Sequence, residues 1–185
     1  MILSLAWGGM GDAVLPNPPE TMKLFDFNTI DEASWRIVND GVMGGRSKGY
    51  VSIEEGAMQF TGTLVTRGGG FTSVRVFKSL NIDGFDGLEV RVRGGGRTFE
   101  VSVDDGTRFR GRTVSRRAPF ETTEEWTWVR VPFSALGTTI FGRPVRAPAI
   151  DLTNVGRIGF FIADGIDGPF RLEVDEVRAY KEDAG

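Results

Sequence analysis

The 185-residue chain is long enough for one well-buried core and too short for two. It contains no histidine and no cysteine, which excludes a Ser-His-Asp triad, a Cys-His pair, ordinary zinc sites and a disulfide framework. The net charge of −3 provides no overall attraction to nucleic acid or anionic lipid. The composition therefore favours binding over catalysis, and we expect no catalytic residue, no cofactor and no metal ligand.

Residues 1–22 are predicted to form a flexible leader, followed by a single domain over residues 23–185. The opening residues 1–7 are apolar but lack a basic start, and residues 1–21 contain no arginine. A signal peptide or mitochondrial transit sequence is thus not expected, and Met22 is an alternative start of the chain. No segment approaches the ~20 apolar residues of a membrane span. We expect a monomer in the bacterial cytoplasm or an organellar stroma or matrix, with at most peripheral membrane association.

From Phe25 onward, short runs of alternating apolar and polar residues recur between glycine, aspartate and asparagine, which is typical of an all-β domain. Two helical turns are predicted over residues 29–35 and 134–136, with Asp31 and Ser134 as caps. About ten strands in one domain predict a jelly-roll β-sandwich. The predicted strands span residues 50–53, 57–64, 71–77, 88–93, 99–104, 108–114, 127–131, 155–162 and 170–180.

Two strand pairs are predicted from their turns. Residues 50–53 and 57–64 flank a Glu-Gly turn and are predicted to form a hairpin. Residues 88–93 and 99–104 flank three glycines, and the polar residues of both runs alternate onto one face. With this pairing, Glu100 and Asp104 face Arg91 and Arg93 across the ladder.

The most distinctive segment is the loop N-D-G-V-M-G-G-R-S over residues 39–47. Its spacing does not fit a phosphate-binding loop, which needs lysine directly after the second glycine. The loop is interpreted either as an Asx turn with glycines chosen for backbone freedom or as a segment of a binding site. The candidate binding residues in it are Asn39, Asp40, Met43, Gly44, Gly45 and Ser47.

A second glycine-rich loop enters the strand that carries Phe71, Ser73 and Arg75, which complete the candidate site. The plain interpretation is a hairpin loop. The functional one is that Arg75 pairs with Asp40 or with a carboxylate or hydroxyl of a ligand.

Other polar patterns are less specific. Arginines and phenylalanines alternate over residues 93–120, but acidic residues are interspersed, so a solvated, ion-paired sheet face is favoured over a nucleic-acid groove. The aspartates show no pairing typical of glycoside hydrolysis. Asp164 and Asp167 flank a turn that is favoured as a plain turn over a structural calcium site.

The loop over residues 39–47, together with Trp35, resembles the signature of the thirty-kilodalton complex I intermediate-associated protein family. Further blocks follow in order, at residues 60–62, 69–75, 128–133, 141–143, 155–164 and 168–174. The resemblance implies a jelly roll of the galactose-binding-like type. It also implies a non-enzymatic protein-binding module that acts as a chaperone or assembly factor for complex I (NADH:ubiquinone oxidoreductase), with complex I subunits or intermediates as partners.

Two other functions stay open at this point. A carbohydrate-binding module is the main alternative, because sandwiches of this type can cover sugar rings with aromatic or arginine-bearing loops. A nucleotide-dependent role is weaker, since some relatives carry an extra dinucleotide-binding domain and this chain does not.

Overall fold

The computed structural model describes residues 20–28 and 34–182. These residues form strands connected by turns and short 3₁₀ segments, and no α-helix occurs among them. The strands are β1 (Thr21–Phe25), β2 (Arg36–Asn39), β3 (Lys48–Glu54), β4 (Ala57–Leu64), β5 (Thr72–Leu80), β6 (Gly87–Arg93), β7 (Thr98–Asp104), β8 (Arg108–Phe109), β9 (Arg112–Thr113), β10 (Ser115–Glu121), β11 (Thr127–Pro132), β12 (Gly137–Ile140), β13 (Arg143–Pro144), β14 (Val155–Ile162) and β15 (Gly168–Tyr180).

Two antiparallel sheets pack face to face. The first has the order β11-β6-β15-β4-β3, and β1 also pairs with β15. The second has the order β13-β12-β10-β7-β14-β5-β2. The predicted all-β sandwich is therefore confirmed, and β8 and β9 form a separate small hairpin.

The core lies between the inner faces of the two sheets. In strands such as β6 and β7, alternate apolar residues are fully buried there, as the sequence alternation predicts. Each fully buried valine, leucine or phenylalanine side chain contributes about 1.5–3 kcal/mol to the stability of the fold when it is removed from water. The first sheet contributes residues such as Phe60, Val90 and Leu172, and the second contributes Val74 and Phe160.

The start of the predicted domain and its two expected helical turns differ from the prediction or lie outside the described residues. Most of the predicted leader lies outside the described residues, but Thr21 and Met22 belong to β1 and pair with Tyr180 and Ala179. The helical turn expected over residues 29–35, with its cap Asp31, also falls largely outside them. The second expected turn is a 3₁₀ segment, Phe133–Ala135, so Ser134 lies inside it and is not its cap.

The predicted hairpin of β3 and β4 is confirmed, with Ser52 opposite Gln59. The pairing expected between residues 88–93 and 99–104 is wrong. Strand β6 pairs with β11 and β15 in the first sheet, whereas β7 pairs with β10 and β14 in the second. The glycine-rich connection thus crosses from one sheet to the other, and the arginines of β6 face acids of β15.

Candidate functional site

The loop over residues 39–47 is organised by the buried carboxylate of Asp40. Its Oδ1 accepts a hydrogen bond from the backbone N–H of Ser47 at 3.0 Å, and its Oδ2 accepts one from Ser47 Oγ at 2.7 Å. The same Oδ2 accepts bonds from the backbone N–H groups of Gly70 at 2.8 Å and Phe71 at 3.4 Å. One side chain thereby ties the two glycine-rich loops together, and we call this arrangement the Asp40 clamp.

Burial alone would raise the pKa of the Asp40 carboxyl. The hydrogen bonds donated by Gly70, Ser47 and Phe71 outweigh that effect, so the pKa lies below its ordinary value. Asp40 is therefore ionised near neutral pH, fully buried and satisfied by backbone and hydroxyl donors.

Two glycines of the loops are required by close approach to this carboxylate. A Cβ on Gly45 would lie 2.1 Å from Asp40 Cγ, and a Cβ on Gly69 would lie 2.4 Å from Asp40 Oδ2. Gly44 has a φ of 86°, in the left-handed region that disfavours other residues. Here the loop sequence is explained by the packing of backbone around a buried charge.

Asn39, the residue before Asp40, also ties neighbouring segments together through its side chain. Its Oδ1 accepts hydrogen bonds from the backbone N–H of Gly49 at 3.0 Å and from Thr72 Oγ1 at 2.6 Å. Asn39, Asp40, Gly45 and Ser47 are thus committed to internal contacts. The side chain of Met43 lies outside what the structure describes, and a binding role for these residues stays a prediction.

The remaining candidates lie beside a cleft on the outer face of the second sheet. The cleft has a volume of about 690 Å³ and is floored by β5, β7, β10 and β14. The connection that begins at Phe141 and the strand β9 contribute to its rim. Its walls include Val38, Phe71, Arg75 and Phe161.

Arg75 lies in this cleft and is half-buried. Its Nε donates a hydrogen bond to Ser73 Oγ at 2.9 Å, and Ser73 Oγ donates to the carbonyl of Val38 at 3.2 Å. The guanidinium lies over the ring of Phe161, 4.6 Å from its centroid. Of the alternatives considered for Arg75, the pairing with Asp40 is not formed, because the clamp already surrounds that carboxylate with N–H and O–H donors.

Two further arginines flank Arg75, and each has an acidic partner. Arg117 Nη1 donates to Glu100 Oε2 at 2.7 Å, and its guanidinium also lies 4.7 Å from the centroid of Phe161. Arg157 forms an ion pair with Asp104. Among the described residues, no carboxylate pairs with Arg75 itself.

The environment of Arg75 is unfavourable for a cation. Burial, followed by the positive charges of Arg157 and Arg117, lowers the pKa of Arg75 to about 10, and only Asp104 acts in the opposite sense. Arg75 remains charged at neutral pH, so the cleft holds a cation in surroundings that favour the arrival of an anion.

The sequence interpretation missed Phe161, Arg117 and Arg157 as members of the site. The signal available was the alternation in β14, which places Phe161 and Arg157 on the outer face. The alternation did not reveal that β14 lies directly between β5 and β7 in the second sheet.

The aspartate-rich turn after β14 is held by an arginine. Arg97 donates two hydrogen bonds to Asp164, at 2.6 and 2.8 Å, and Asp167 accepts one from the backbone N–H of Thr66 at 2.6 Å. Within residues 20–28 and 34–182, no group of three acidic side chains is arranged to hold a metal ion. The same residues include no helix long and apolar enough to cross a membrane.

The family model for complex I intermediate-associated protein 30 (CIA30) matches residues 25–174, which include both glycine-rich loops and most of the two sheets. The chain belongs to this family. A Mus musculus protein named complex I intermediate-associated protein 30, mitochondrial, is 28% identical over 178 residues, covering 83% of this chain and 54% of the relative. A probable counterpart in Caenorhabditis elegans is 29% identical over 107 residues, covering 53% and 30%. The chain thus spans about half the length of the mouse relative.

Solved structures share the fold at low sequence identity. A family 11 carbohydrate-binding module of a Clostridium thermocellum cellulosomal cellulase aligns with a TM-score of 0.64 and 14% identity, covering 90% of this chain and 97% of the module. A family 30 carbohydrate-binding module aligns with a TM-score of 0.52 and 15% identity, covering 77% and 82%. These likenesses confirm the predicted jelly-roll fold, and they concern the fold alone.

Proposed function

We propose that this CIA30-family chain is a non-enzymatic protein-binding module that serves as an assembly factor or chaperone for respiratory complex I. The observation that carries the proposal is the family match over residues 25–174, because it includes the Asp40 clamp and the strands that floor the cleft. The names of the curated relatives place them with complex I intermediates in mitochondria. For this chain we propose a monomer with complex I subunits or intermediates as partners.

The cleft is the surface that we propose for holding the partner. It is lined by aromatic residues and arginines, which are residue types enriched in protein interfaces. A catalytic use is disfavoured because the chain has no histidine or cysteine and because Asp104, the acid that lines the cleft, is paired with Arg157.

The carbohydrate-binding alternative gains no support from the cleft. Sugar rings stack on open aromatic faces, but the ring of Phe161 is almost fully buried and is contacted by two guanidinium groups. The exposed ring of Phe141 at the cleft likewise lies against Arg112. A glycan array that gave a saturable, specific hit would nevertheless restore this alternative.

The proposal is tested by affinity capture of the tagged chain from gently solubilised cells of its source, followed by mass spectrometry. A Thr139→Trp variant fills the cleft, and Ser52→Trp is its matched control on the outer face of the first sheet. We expect complex I subunits with the wild type and with Ser52→Trp, and their loss with Thr139→Trp. Absence of complex I subunits from the wild-type capture would overturn the assembly role, and their equal recovery with Thr139→Trp would exclude the cleft.

A further inference from the structure

We infer that the cleft recognises a carboxylate on an otherwise apolar peptide segment, and that Arg75 is the residue that pairs with this carboxylate. The inference rests on the protein-binding role proposed above and names the chemistry by which the partner is recognised. It is argued from the contrast between the two outer faces of the sandwich, from the charges in the cleft and from the free donors of Arg75.

The outer face of the first sheet is covered by compensated ion pairs. Arg93 Nη2 donates to Glu173 Oε1 at 3.0 Å, and Arg91 pairs with Asp175 on the same two strands. Glu89 also accepts a hydrogen bond from Arg130 at 2.9 Å. Arginines on this face therefore have acidic neighbours across the strands, as expected for a solvated sheet surface.

The second sheet departs from this pattern around Arg75. Arg117 and Arg157 lie on either side of Arg75 and have carboxylate partners, whereas Arg75 has none among the described residues. Arg112, which also lines the cleft, lies against the ring of Phe141 and likewise has no carboxylate partner among the described residues. The cations of this group therefore outnumber their acidic partners, which favours an anionic ligand.

The geometry of Arg75 leaves a fork available. Its Nε is used by Ser73, while its two Nη atoms make no hydrogen bond within the described residues. A guanidinium presents such donors in a plane that matches the two oxygens of a carboxylate. Stacking on Phe161 fixes that plane before a ligand arrives, which lowers the entropic cost of binding.

The walls around this fork are apolar. Val38 and Phe71 lie on the side of β2 and β5, and Ile140 and Phe141 lie on the side of β12. A cleft of about 690 Å³ is much larger than a carboxylate and has room for neighbouring side chains. The geometry fits an acidic residue flanked by apolar ones.

The experiment compares two blocked peptides, acetyl-Leu-Glu-Leu-amide and acetyl-Leu-Gln-Leu-amide, which differ only in the carboxylate. Each is titrated into the ¹⁵N-labelled chain, and shifts of backbone and arginine Nε–H resonances are followed. Arg75→Gln removes the fork. Arg171→Gln makes the same charge change on the other sheet, where Glu173 keeps Arg93 as a partner.

We expect the glutamate peptide to bind the wild type at least tenfold more tightly than the glutamine peptide, because hydrogen bonds to a charged group are stronger than neutral ones. This preference should persist in Arg171→Gln and disappear in Arg75→Gln. Equal binding of the two peptides, an unchanged preference in Arg75→Gln, or no saturable shift with the glutamate peptide would each overturn the inference. Inorganic phosphate that binds more tightly than the glutamate peptide would overturn the assignment to a carboxylate.

Failure of this inference is distinguishable from failure of the assembly role. If Arg75→Gln captures complex I subunits as well as the wild type does, the carboxylate inference fails and the assembly role stands. If the glutamate peptide binds through Arg75 but the wild type captures no complex I subunit, the cleft chemistry stands and the assembly role fails.

Discussion

Replacement of Asp40 by alanine removes the acceptor at the centre of the clamp. The buried backbone N–H groups of Ser47 and Gly70 and the Ser47 hydroxyl lose their shared carboxylate, and the longer contact from Phe71 is lost as well. Hydrogen bonds to a charged group contribute about 1.5–3 kcal/mol each, but their losses are not additive. We expect the free energy of unfolding to fall by about 3–5 kcal/mol.

A loss of that size should lower the melting temperature by roughly 10 °C, since 1 kcal/mol corresponds to about 2–4 °C in a domain of this length. Asp40→Asn is the isosteric companion. Its amide offers one oxygen and turns an NH₂ group toward N–H donors, so we expect a loss of about 2 kcal/mol or more. Urea unfolding followed by circular dichroism at neutral pH measures both variants.

The dependence on pH provides an independent check. The pKa of Asp40 is lower in the folded state, so its stabilising effect is complete above the unfolded value of about 3.9 and is lost as the pH falls through the folded pKa. The stability difference between the wild type and Asp40→Asn should therefore shrink as the pH falls below about 4. A loss below about 1 kcal/mol for Asp40→Ala at neutral pH, or a difference that does not change in acid, would refute the clamp.

Three further variants and one control test other contacts by the same unfolding assay. Gly45→Ala places a Cβ 2.1 Å from Asp40 Cγ and should lower the free energy of unfolding by about 2 kcal/mol or more. Gly41→Ala is its control. A Cβ on Gly41 meets nothing within 4 Å, so this substitution should lower the free energy of unfolding distinctly less. Arg75→Gln should change stability by less than about 1 kcal/mol, because the lost stacking is offset by relief of burial and like-charge repulsion. A larger loss would mean that the contacts of Arg75 with Ser73 and Phe161 stabilise the fold. Arg97→Gln leaves a carboxylate unpaired and should cost about 2–3 kcal/mol, and an unchanged unfolding midpoint would contradict this.

The sequence was sufficient to predict the sandwich and much of its strand content because alternation reports which side of a strand faces the core. The hairpin of β3 and β4 was predicted because a local turn sets its register. The pairing partners of β6 and β7 were not predicted correctly, because strands of both sheets show the same alternation and the alternation does not say which sheet a strand joins. A run of glycines between two strands indicates a change of direction, and it is equally compatible with a hairpin and with a crossing between sheets.

The candidate site was only partly predicted, for the same reason. The density of glycine and polar residues over 39–47 correctly singled out an unusual loop, but spacing alone does not distinguish a buried carboxylate from one open to a ligand. Arg75 was correctly placed on a strand beside that loop. Its neighbours Phe161 and Arg117 come from distant regions of the chain, and only the strand order of the second sheet brings them together.

The clamp and the cleft belong to a single arrangement. Asp40 accepts hydrogen bonds from the backbone N–H groups of Gly70 and Phe71, two residues that line the cleft. The ring centroid of Phe71 lies 6.3 Å from that of Phe161. Phe161 in turn supports the guanidinium of Arg75. The buried carboxylate of Asp40, whose hydrogen bonds are satisfied, thereby fixes the cleft wall that orients Arg75, which has no carboxylate partner among the described residues. A cation kept half-buried without a counterion reduces stability, and such a cost is typical of residues retained for binding. The loop residues hold the backbone in place through internal hydrogen bonds, and Arg75 is the cleft residue that we propose meets the partner.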